Sequence, residues 1–236
     1  MPATTTKSAY WAGVRDGLPF IVMVVPFATL FGVVAIEAGL TLAQTMAFTV
    51  LVIAGASQFA ALQLMVENAA IGFVLLAALA VNLRMAMYSA SLALHIGAAP
   101  FWQRALVGYL TFDQCYMTSI AKYDDNPAMP LDAKMAYFFG VASGITPLWC
   151  GFTFVGAQIG ATIPASYQID FIMPIAFLSM VAPMIKSLAH VAAAFVSAVV
   201  ALALVWLPSG SGLLVAAGCA MMTGVIVETW AQARHT

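Results

Sequence analysis

Charged residues are scarce in this chain: they make up 7% of its 236 residues, whereas hydrophobic residues make up 64%. A soluble globular domain carries about 25% charged residues, so the composition excludes that class of protein. Each membrane-spanning helix needs about 20 mostly apolar residues. The composition therefore predicts an all-α polytopic membrane protein, a bundle of seven or eight transmembrane segments with short connections and no sizeable aqueous domain.

Sequence motifs of several enzyme and binding classes are also absent. No Gly-x-x-x-x-Gly-Lys loop occurs, which argues against direct coupling to ATP. The histidines, His95, His190 and His235, are scattered, and the cysteines have no neighbouring ligand, so we expect no metal and no other cofactor. Ser57 lacks the glycine two places later that a nucleophile elbow requires. The net charge of −1 gives no basis for binding nucleic acid. These absences predict that the protein is not an enzyme.

One charge lies deep within an apolar run. Arg84 is the only charged residue between positions 69 and 94. An arginine near the bilayer centre costs about 2.5–3.5 kcal/mol on insertion scales, so it faces protein or a wet cavity and meets an anion there. Arg84, Tyr88, Ser91 and His95 follow a helical spacing that places them on one face. We predict that this face meets a partner helix or a transport pathway.

The sequence offers one anion for that arginine. Asp113 lies nine residues from the nearest basic residue on either side, in the middle of a fourth span predicted over residues 101–121. At 1.5 Å per residue the carboxylate is about 13 Å along the helix from either basic residue. We assign Asp113 and the neighbouring Gln114 to proton or ion coupling. A buried pair with Arg84 that only fixes helix packing is the alternative.

Several predicted spans contain residues that interrupt helices. Pro26 removes a backbone hydrogen bond within the first span and should kink it. Gly55 opens a Gly-Ala-Ser-Gln block that predicts a helix break in the second span, with packing of small residues as the alternative. Pro174 and Pro183 interrupt a run of only 15 residues, residues 171–185, which is the sequence sign of a discontinuous helix.

Polar side chains near these interruptions predict a pathway across the membrane. Backbone donors exposed at a helix break, or a buried arginine, would bind an anionic group, and a buried carboxylate would bind a cationic group or a proton. The residues that we assign to substrate binding or to the pathway are Ser57, Gln58, Asn82, Arg84 and Tyr88.

The distribution of basic residues predicts the orientation of the chain. Residues 1–17 and 228–236 are polar and are predicted to be a cytoplasmic N-terminal segment and a cytoplasmic tail, with a single transporter domain over residues 18–227. Cytoplasmic connections carry the excess of lysine and arginine. A layout of eight spans places all basic residues inside except Arg104, which lies outside, and Arg84, which is buried; seven spans remain an alternative.

Five blocks of the sequence point to a known family: Pro26 to Gly32, Gly55-Ala56-Ser57-Gln58-Phe59, Val81-Asn82-Leu83-Arg84, Tyr137-Phe138-Phe139-Gly140 and Phe171 to Pro183. Together they resemble the AzlC family, the large subunits of bacterial branched-chain amino-acid exporters, over about residues 12–230. The chain departs from the family at one point. Where the family usually has Thr-Asp-Glu, this sequence has Phe112-Asp113-Gln114, so a second carboxylate is missing.

The resemblance implies a function and a partner. It implies a secondary transporter that exports small amino acids, branched-chain (Leu, Ile, Val) or similar, across the bacterial inner membrane, together with a small multispan subunit resembling AzlD. Small residues along several spans, such as Gly32, Gly156 and Gly218, would let such a partner pack closely in lipid. A homo-oligomer is also compatible with these faces, and Phe31-Gly32-Val33 and Phe139-Gly140-Val141 are compatible with internal repeats. A passive channel or a structural membrane subunit is the other class of function that the sequence leaves open.

Overall fold

The computed structural model describes residues 5–162, 185, 187–206 and 211–233. Among these residues every regular element is helical, and three helical stretches are long and apolar enough to cross a membrane: Thr6–Glu37, Ile71–Ile96 and Leu131–Gly160. The predicted all-α membrane fold is therefore confirmed. The predicted interruptions at Pro174 and Pro183 lie outside the described residues.

The helices follow in chain order as α1 (Thr6–Gly17), α2 (Ile21–Glu37), α3 (Leu42–Leu51), α4 (Gly55–Val66), α5 (Ile71–Ile96), α6 (Phe101–Leu110), α7 (Asp113–Asp125), α8 (Leu131–Gly160), α9 (Leu188–Ala203) and α10 (Ser211–Ala233). A short 3-10 helix, Leu18–Phe20, joins α1 to α2. The chain forms two compact units, residues 1–58 with 79–167 and residues 59–78 with 168–236. In the second unit, α9 packs against α10.

Local sequence signals allow α3 to fold back along α2. The turn after α2 contains Gly39 at a φ of +89°, a conformation that glycine adopts without steric cost. Thr41 and Gln44 then form a reciprocal capping box at the beginning of α3. The rings of Phe31 and Phe48 meet edge to face, 5.9 Å between centroids, once the chain has reversed.

Glycines let α8 pack closely against α1 and α2. A Cβ atom at Gly140 would meet the carbonyl oxygen of Tyr10, and one at Gly156 would meet that of Thr29. Because the contacting positions advance together in the two chain segments, α8 runs parallel to α1 and α2. In lipid the attraction between helices comes from such close backbone approach rather than from exclusion of water. The glycines with a backbone atom of the facing helix within 3.0 Å of an added Cβ are Gly13, Gly32, Gly140, Gly156 and Gly160.

This packing occupies glycines that sequence analysis had assigned to the docking face of a partner. Gly32 and Gly156 both face helices of the same chain, whereas a Cβ at Gly218 would meet none of the described residues within 4 Å. The glycines of the two Phe-Gly-Val patterns belong to different contacts of α8: Gly32 of α2 faces α8, and Gly140 of α8 faces α1. Gly32 and Gly156 are therefore not available to another subunit.

A polar cluster joins α1, α7 and α8 at one end of the first unit. The hydroxyl of Tyr137 donates to Asp16 Oδ2 at 2.9 Å, and Lys122 Nζ lies 3.9 Å from the same oxygen. The hydroxyl of Tyr123 donates to the carbonyl oxygen of Lys134 at 2.7 Å. The segment predicted to be a polar N-terminal extension is thus largely the helix α1, whose inner face is buried against α8.

Candidate functional site

An ion pair joins the middle of α5 to the first residue of α7. Arg84 Nη2 lies 3.1 Å from Asp113 Oδ2, and the hydroxyl of Tyr88 donates to Asp113 Oδ1 at 3.0 Å. The two charged side chains are partly exposed, 25% for Arg84 and 35% for Asp113. Both carboxylate oxygens of Asp113 are therefore engaged, one by a cation and one by a hydroxyl, and these charge-assisted contacts stabilise the anion. The structure thus brings together the arginine and the carboxylate that the sequence singled out.

The same face of α5 continues to contact α7 toward their ends. The hydroxyl of Tyr116 donates to Ser91 Oγ at 3.2 Å, and His95 Nε2 lies 3.6 Å from Asp124 Oδ1. The ring of Tyr116 also stacks on that of Tyr88, with centroids 4.1 Å apart and planes inclined by 7°. Because the contacting positions advance together, α7 runs parallel to α5.

The helix between them, α6, runs in the opposite direction. Arg104 and Gly108 line a cavity of about 70 Å³ together with α5 residues from Ser89 to Ile96, so α6 folds back along α5. Since α7 then runs parallel to α5, the chain reverses at Thr111-Phe112. The segment from α6 to α7 is a hairpin of two short helices that begins and ends at the same end of the unit.

The prediction of a single fourth span over residues 101–121 is therefore wrong, because the chain reverses direction within it. α6 has 10 residues and α7 has 13, each too short to cross a bilayer alone. Arg104 lies at the same end as Lys122 rather than at the opposite end. Hydropathy carries no information on chain direction, and no glycine or proline marks the reversal at residues 111–112.

Backbone geometry at the reversal places Asp113 at a helix N-terminus. Phe112 is extended, with φ −113° and ψ 170°, and its side chain makes no capping hydrogen bond. The hydroxyl of Thr111 donates to the carbonyl oxygen of Val107 at 2.6 Å, which satisfies one acceptor at the end of α6. The first N–H groups of α7 lack intrahelical acceptors and carry partial positive charge, so they favour the negative charge of Asp113.

A second interruption precedes α4. Residues 52–54 are not helical, and α4 begins at Gly55, so the chain breaks immediately before the Gly-Ala-Ser-Gln block rather than within it. The hydroxyl of Tyr109, on α6, donates to the carbonyl oxygen of Val50, close to this interruption. Both interruptions therefore leave a helix N-terminus in the first unit.

Several polar atoms near these interruptions are buried without a partner among the described residues. They include both amide atoms of Gln58, Asn82 Oδ1 and Arg84 Nε. Gln58 and Ser57 are both fully buried. The hydroxyl of Ser57 differs in having a partner, the carbonyl oxygen of Ala54 at 3.0 Å.

The remaining predicted site residues take no part in the ion pair. Gln114 is half-buried, and among the described residues it makes no side-chain hydrogen bond to Asp113. Pro26 lies within α2, and the helix continues through it.

One aromatic residue escaped the sequence analysis. Trp149 is 8% exposed, and its indole N–H has no partner among the described residues. Its ring lies against Gly55, where a Cβ would be 2.9 Å from Trp149 Cη2 and 2.8 Å from Phe27 Cε1. Trp149 lies in a long uncharged run, and nothing in the sequence relates it to Gly55.

Comparison with known proteins identifies the family of the chain. Inner membrane protein YgaZ of Escherichia coli (strain K12) is 24% identical to this chain over 232 residues, which are 95% of this chain and 93% of that protein. No solved structure matches the chain. The family model described as AzlC protein matches residues 19–163, a segment that contains both helix interruptions and the pair between α5 and α7. Because this match spans more than half of the sequence, the chain belongs to the AzlC family.

Proposed function

We propose that this protein is a secondary transporter that exports small amino acids, branched-chain or similar, across the bacterial inner membrane. The observation that carries the proposal is the pair of Arg84 and Asp113 at the turn of a helical hairpin, where Arg84 is the only charged residue between positions 69 and 94. Membership of the AzlC family supports the transport function, and the name of the related inner membrane protein supports the location.

The paired charges suit the two ends of a zwitterion. When Asp113 binds a proton or the ammonium group of a substrate, its attraction for Arg84 is reduced, because the negative charge is neutralised or shared. The planar guanidinium of Arg84 then has donors available for a carboxylate. The side chain of Tyr88 would move together with that of Asp113, because its hydroxyl is hydrogen-bonded to the carboxylate. Energy would come from an ion gradient or from the gradient of the substrate itself.

We further propose that the end bearing the polar cluster of Asp16, Tyr137 and Lys122 is cytoplasmic. Arg15, Arg104, Lys122 and Lys134 all lie at this end of the first unit. An excess of basic residues is the mark of the cytoplasmic side. The hairpin of α6 and α7 would then enter the membrane from the cytoplasm and return to it.

We also propose that a small multispan membrane subunit completes the transporter. Some glycines leave places where a further helix can approach closely, because an added Cβ would meet no described residue within 4 Å; among them are Gly72, Gly151 and Gly218. Purification in mild detergent with and without the neighbouring small subunit tests this proposal. Full transport by the chain alone, with no co-purification, would contradict it.

A pair that only fixes helix packing is the competing explanation for Arg84 and Asp113, and a passive pore is the competing function. Arg84 Nε is buried without a partner among the described residues, so the pair does not satisfy the whole guanidinium, which favours a role in binding.

The test of the proposed function is efflux from proteoliposomes loaded with leucine, isoleucine or valine. Movement against a concentration gradient, driven by an imposed pH gradient, distinguishes a carrier from a pore. We expect Arg84→Ala to abolish transport and Arg84→Lys to restore little, because lysine lacks the forked geometry. Arg15→Ala is the matched control, since that side chain is 75% exposed. Normal efflux by Arg84→Ala would refute the role of the pair.

A further inference from the structure

The strongest unexplained feature outside the ion pair is a group of buried polar atoms around the beginning of α4. Gln58 lies in the first turn of this helix, is fully buried, and has neither amide atom paired among the described residues. The indole N–H of Trp149, whose ring lies against Gly55, is likewise buried and unpaired. Unpaired polar groups are costly in a protein interior, and more so in a membrane, where no bulk water can satisfy them.

The position of these atoms points to an anion. The first N–H groups of α4 have no intrahelical acceptor, and the helix dipole makes this end positive. Helical side chains lean toward the N-terminus, so the amide of Gln58 extends over the same first turn. The N–H groups of residues 55–57, the amide N–H₂ of Gln58 and the indole N–H of Trp149 are thus donors for which the described residues supply no acceptor. A carboxylate is the ligand that complements such a set.

Gln58 also presents an acceptor, its amide oxygen, which has no donor among the described residues. A ligand that satisfies the whole group therefore carries donors next to its carboxylate. An α-amino acid has this arrangement, because its ammonium group and carboxylate share one carbon atom. The rings of Phe27 and Trp149, with centroids 6.0 Å apart, add apolar surface beside Gly55.

Arg84 is the competing carboxylate site. Its guanidinium is already paired with Asp113, so a substrate carboxylate would have to separate that pair or share the arginine with it. The unpaired donors around α4 have no partner within the described part of the chain that they would have to lose. We therefore expect the carboxylate to bind first at α4, where no existing contact has to be broken. The pair of Arg84 and Asp113 would then change when Asp113 is protonated.

We propose that the N-terminus of α4, with Gln58 and Trp149, is the subsite that first captures the main-chain carboxylate and ammonium group of the transported amino acid. This inference rests on the proposed function and adds to it the group that recognises the substrate. Phe27 and Gly55 position the subsite: the ring of Phe27 lies beside that of Trp149, and glycine at 55 leaves room for both rings.

The experiment measures binding to the purified full-length protein in detergent by calorimetry, with leucine, isoleucine and valine as probes. Leucinamide, which lacks the carboxylate, and isoamylamine, which lacks the whole carboxyl group, are the comparison ligands. A hydrogen bond to a charged group is worth enough that its loss weakens binding by about tenfold or more. We expect Gln58→Met and Trp149→Phe each to weaken leucine binding by at least that factor, and to change the weaker binding of leucinamide much less.

Two control variants carry the same chemical changes at other positions. Gln63→Met alters a glutamine further along α4 that is already bonded to Glu67 at 2.7 Å, and Trp102→Phe alters a tryptophan that is 60% exposed. Both should bind leucine as the unmodified protein does. Without ligand, Gln58→Met should melt at the same or a higher temperature, because it replaces an unpaired buried amide with an apolar side chain, yet it should lose the stabilisation by leucine.

The outcomes separate this inference from the proposed function. If the unmodified protein binds leucine and both variants bind it equally well, the subsite is overturned, and the unpaired atoms hold water only. Equal binding of leucine and leucinamide by the unmodified protein overturns it too, and that comparison needs no substitution. If the unmodified protein neither binds nor transports any of the amino acids, the proposed function itself fails and the inference fails with it.

Discussion

A double-mutant cycle on Arg84 and Asp113 distinguishes a transport pair from a packing pair. Removing one member of a fully buried ion pair costs about 3–5 kcal/mol, because the other charge is left unpaired, whereas exposed pairs are worth about 0–1 kcal/mol. The side chains here are 25% and 35% exposed, between these limits. We therefore expect Arg84→Met and Asp113→Asn each to lower the free energy of unfolding by about 2 kcal/mol.

The double variant should cost much less than the sum of the single variants. No unpaired charge remains in it, so we expect a total loss of only about 1 kcal/mol and a coupling energy of about 3 kcal/mol. Unfolding in mixed micelles with increasing fractions of dodecyl sulfate measures all four proteins. Single effects that add to within about 0.5 kcal/mol would show that the two side chains do not interact.

Transport by the same four proteins decides the role of the pair. If Arg84 and Asp113 only hold α5 against α7, the double variant recovers both stability and efflux. If they belong to the pathway, as we propose, the double variant recovers stability but remains inactive. Recovery of efflux in the double variant would therefore overturn the proposed roles of both residues.

Three further predictions test the packing and the course of the chain. Gly32→Ala should lower the free energy of unfolding by about 1–3 kcal/mol, because its Cβ would meet the backbone of α8 at the Thr153 carbonyl oxygen and at Ala157 N. Gly151→Ala, where no atom of the described residues lies within 4 Å of the added Cβ, should instead raise the free energy of unfolding by about 0.5–1 kcal/mol. Equal effects of the two substitutions in the same unfolding assay would contradict the close approach at Gly32. Cysteines introduced at Ala98 and Asn126, on either side of the α6 and α7 hairpin, should react with a membrane-impermeant maleimide from the same side of the membrane in a variant without the native cysteines; labelling from opposite sides would restore the single span over residues 101–121. Tyr116→Phe should cost only about 0.5–1.5 kcal/mol, since it loses the hydrogen bond to Ser91 but keeps the ring stacked on Tyr88, and Tyr116→Leu should cost more; similar unfolding curves for the two variants would show that stacking contributes nothing.

Features that depend on composition and on local periodicity followed from the sequence alone. Few charges and long apolar runs indicate a helical membrane protein. Apolar runs of this length span a bilayer as α-helices, because a helix satisfies its own backbone hydrogen bonds where no water is present. The helical repeat is local, so Arg84, Tyr88, Ser91 and His95 could be assigned to one face before any contact was known. Asp113 could be proposed as the counter-charge because an isolated carboxylate in an apolar run needs a cation as much as the arginine needs an anion.

Only the tertiary structure decided the direction of the chain and the partners of its small residues. Hydropathy is the same for a helix that crosses the membrane and for two half-helices that enter and return, and Thr111-Phe112 contains no residue that signals a reversal. A glycine permits close approach of another helix but does not determine which helix packs against it. The contact of Gly32 with α8 could therefore not be predicted from the sequence. Trp149 meets Gly55 across 94 positions of sequence, and such a contact exists only once α2, α4 and α8 have packed together.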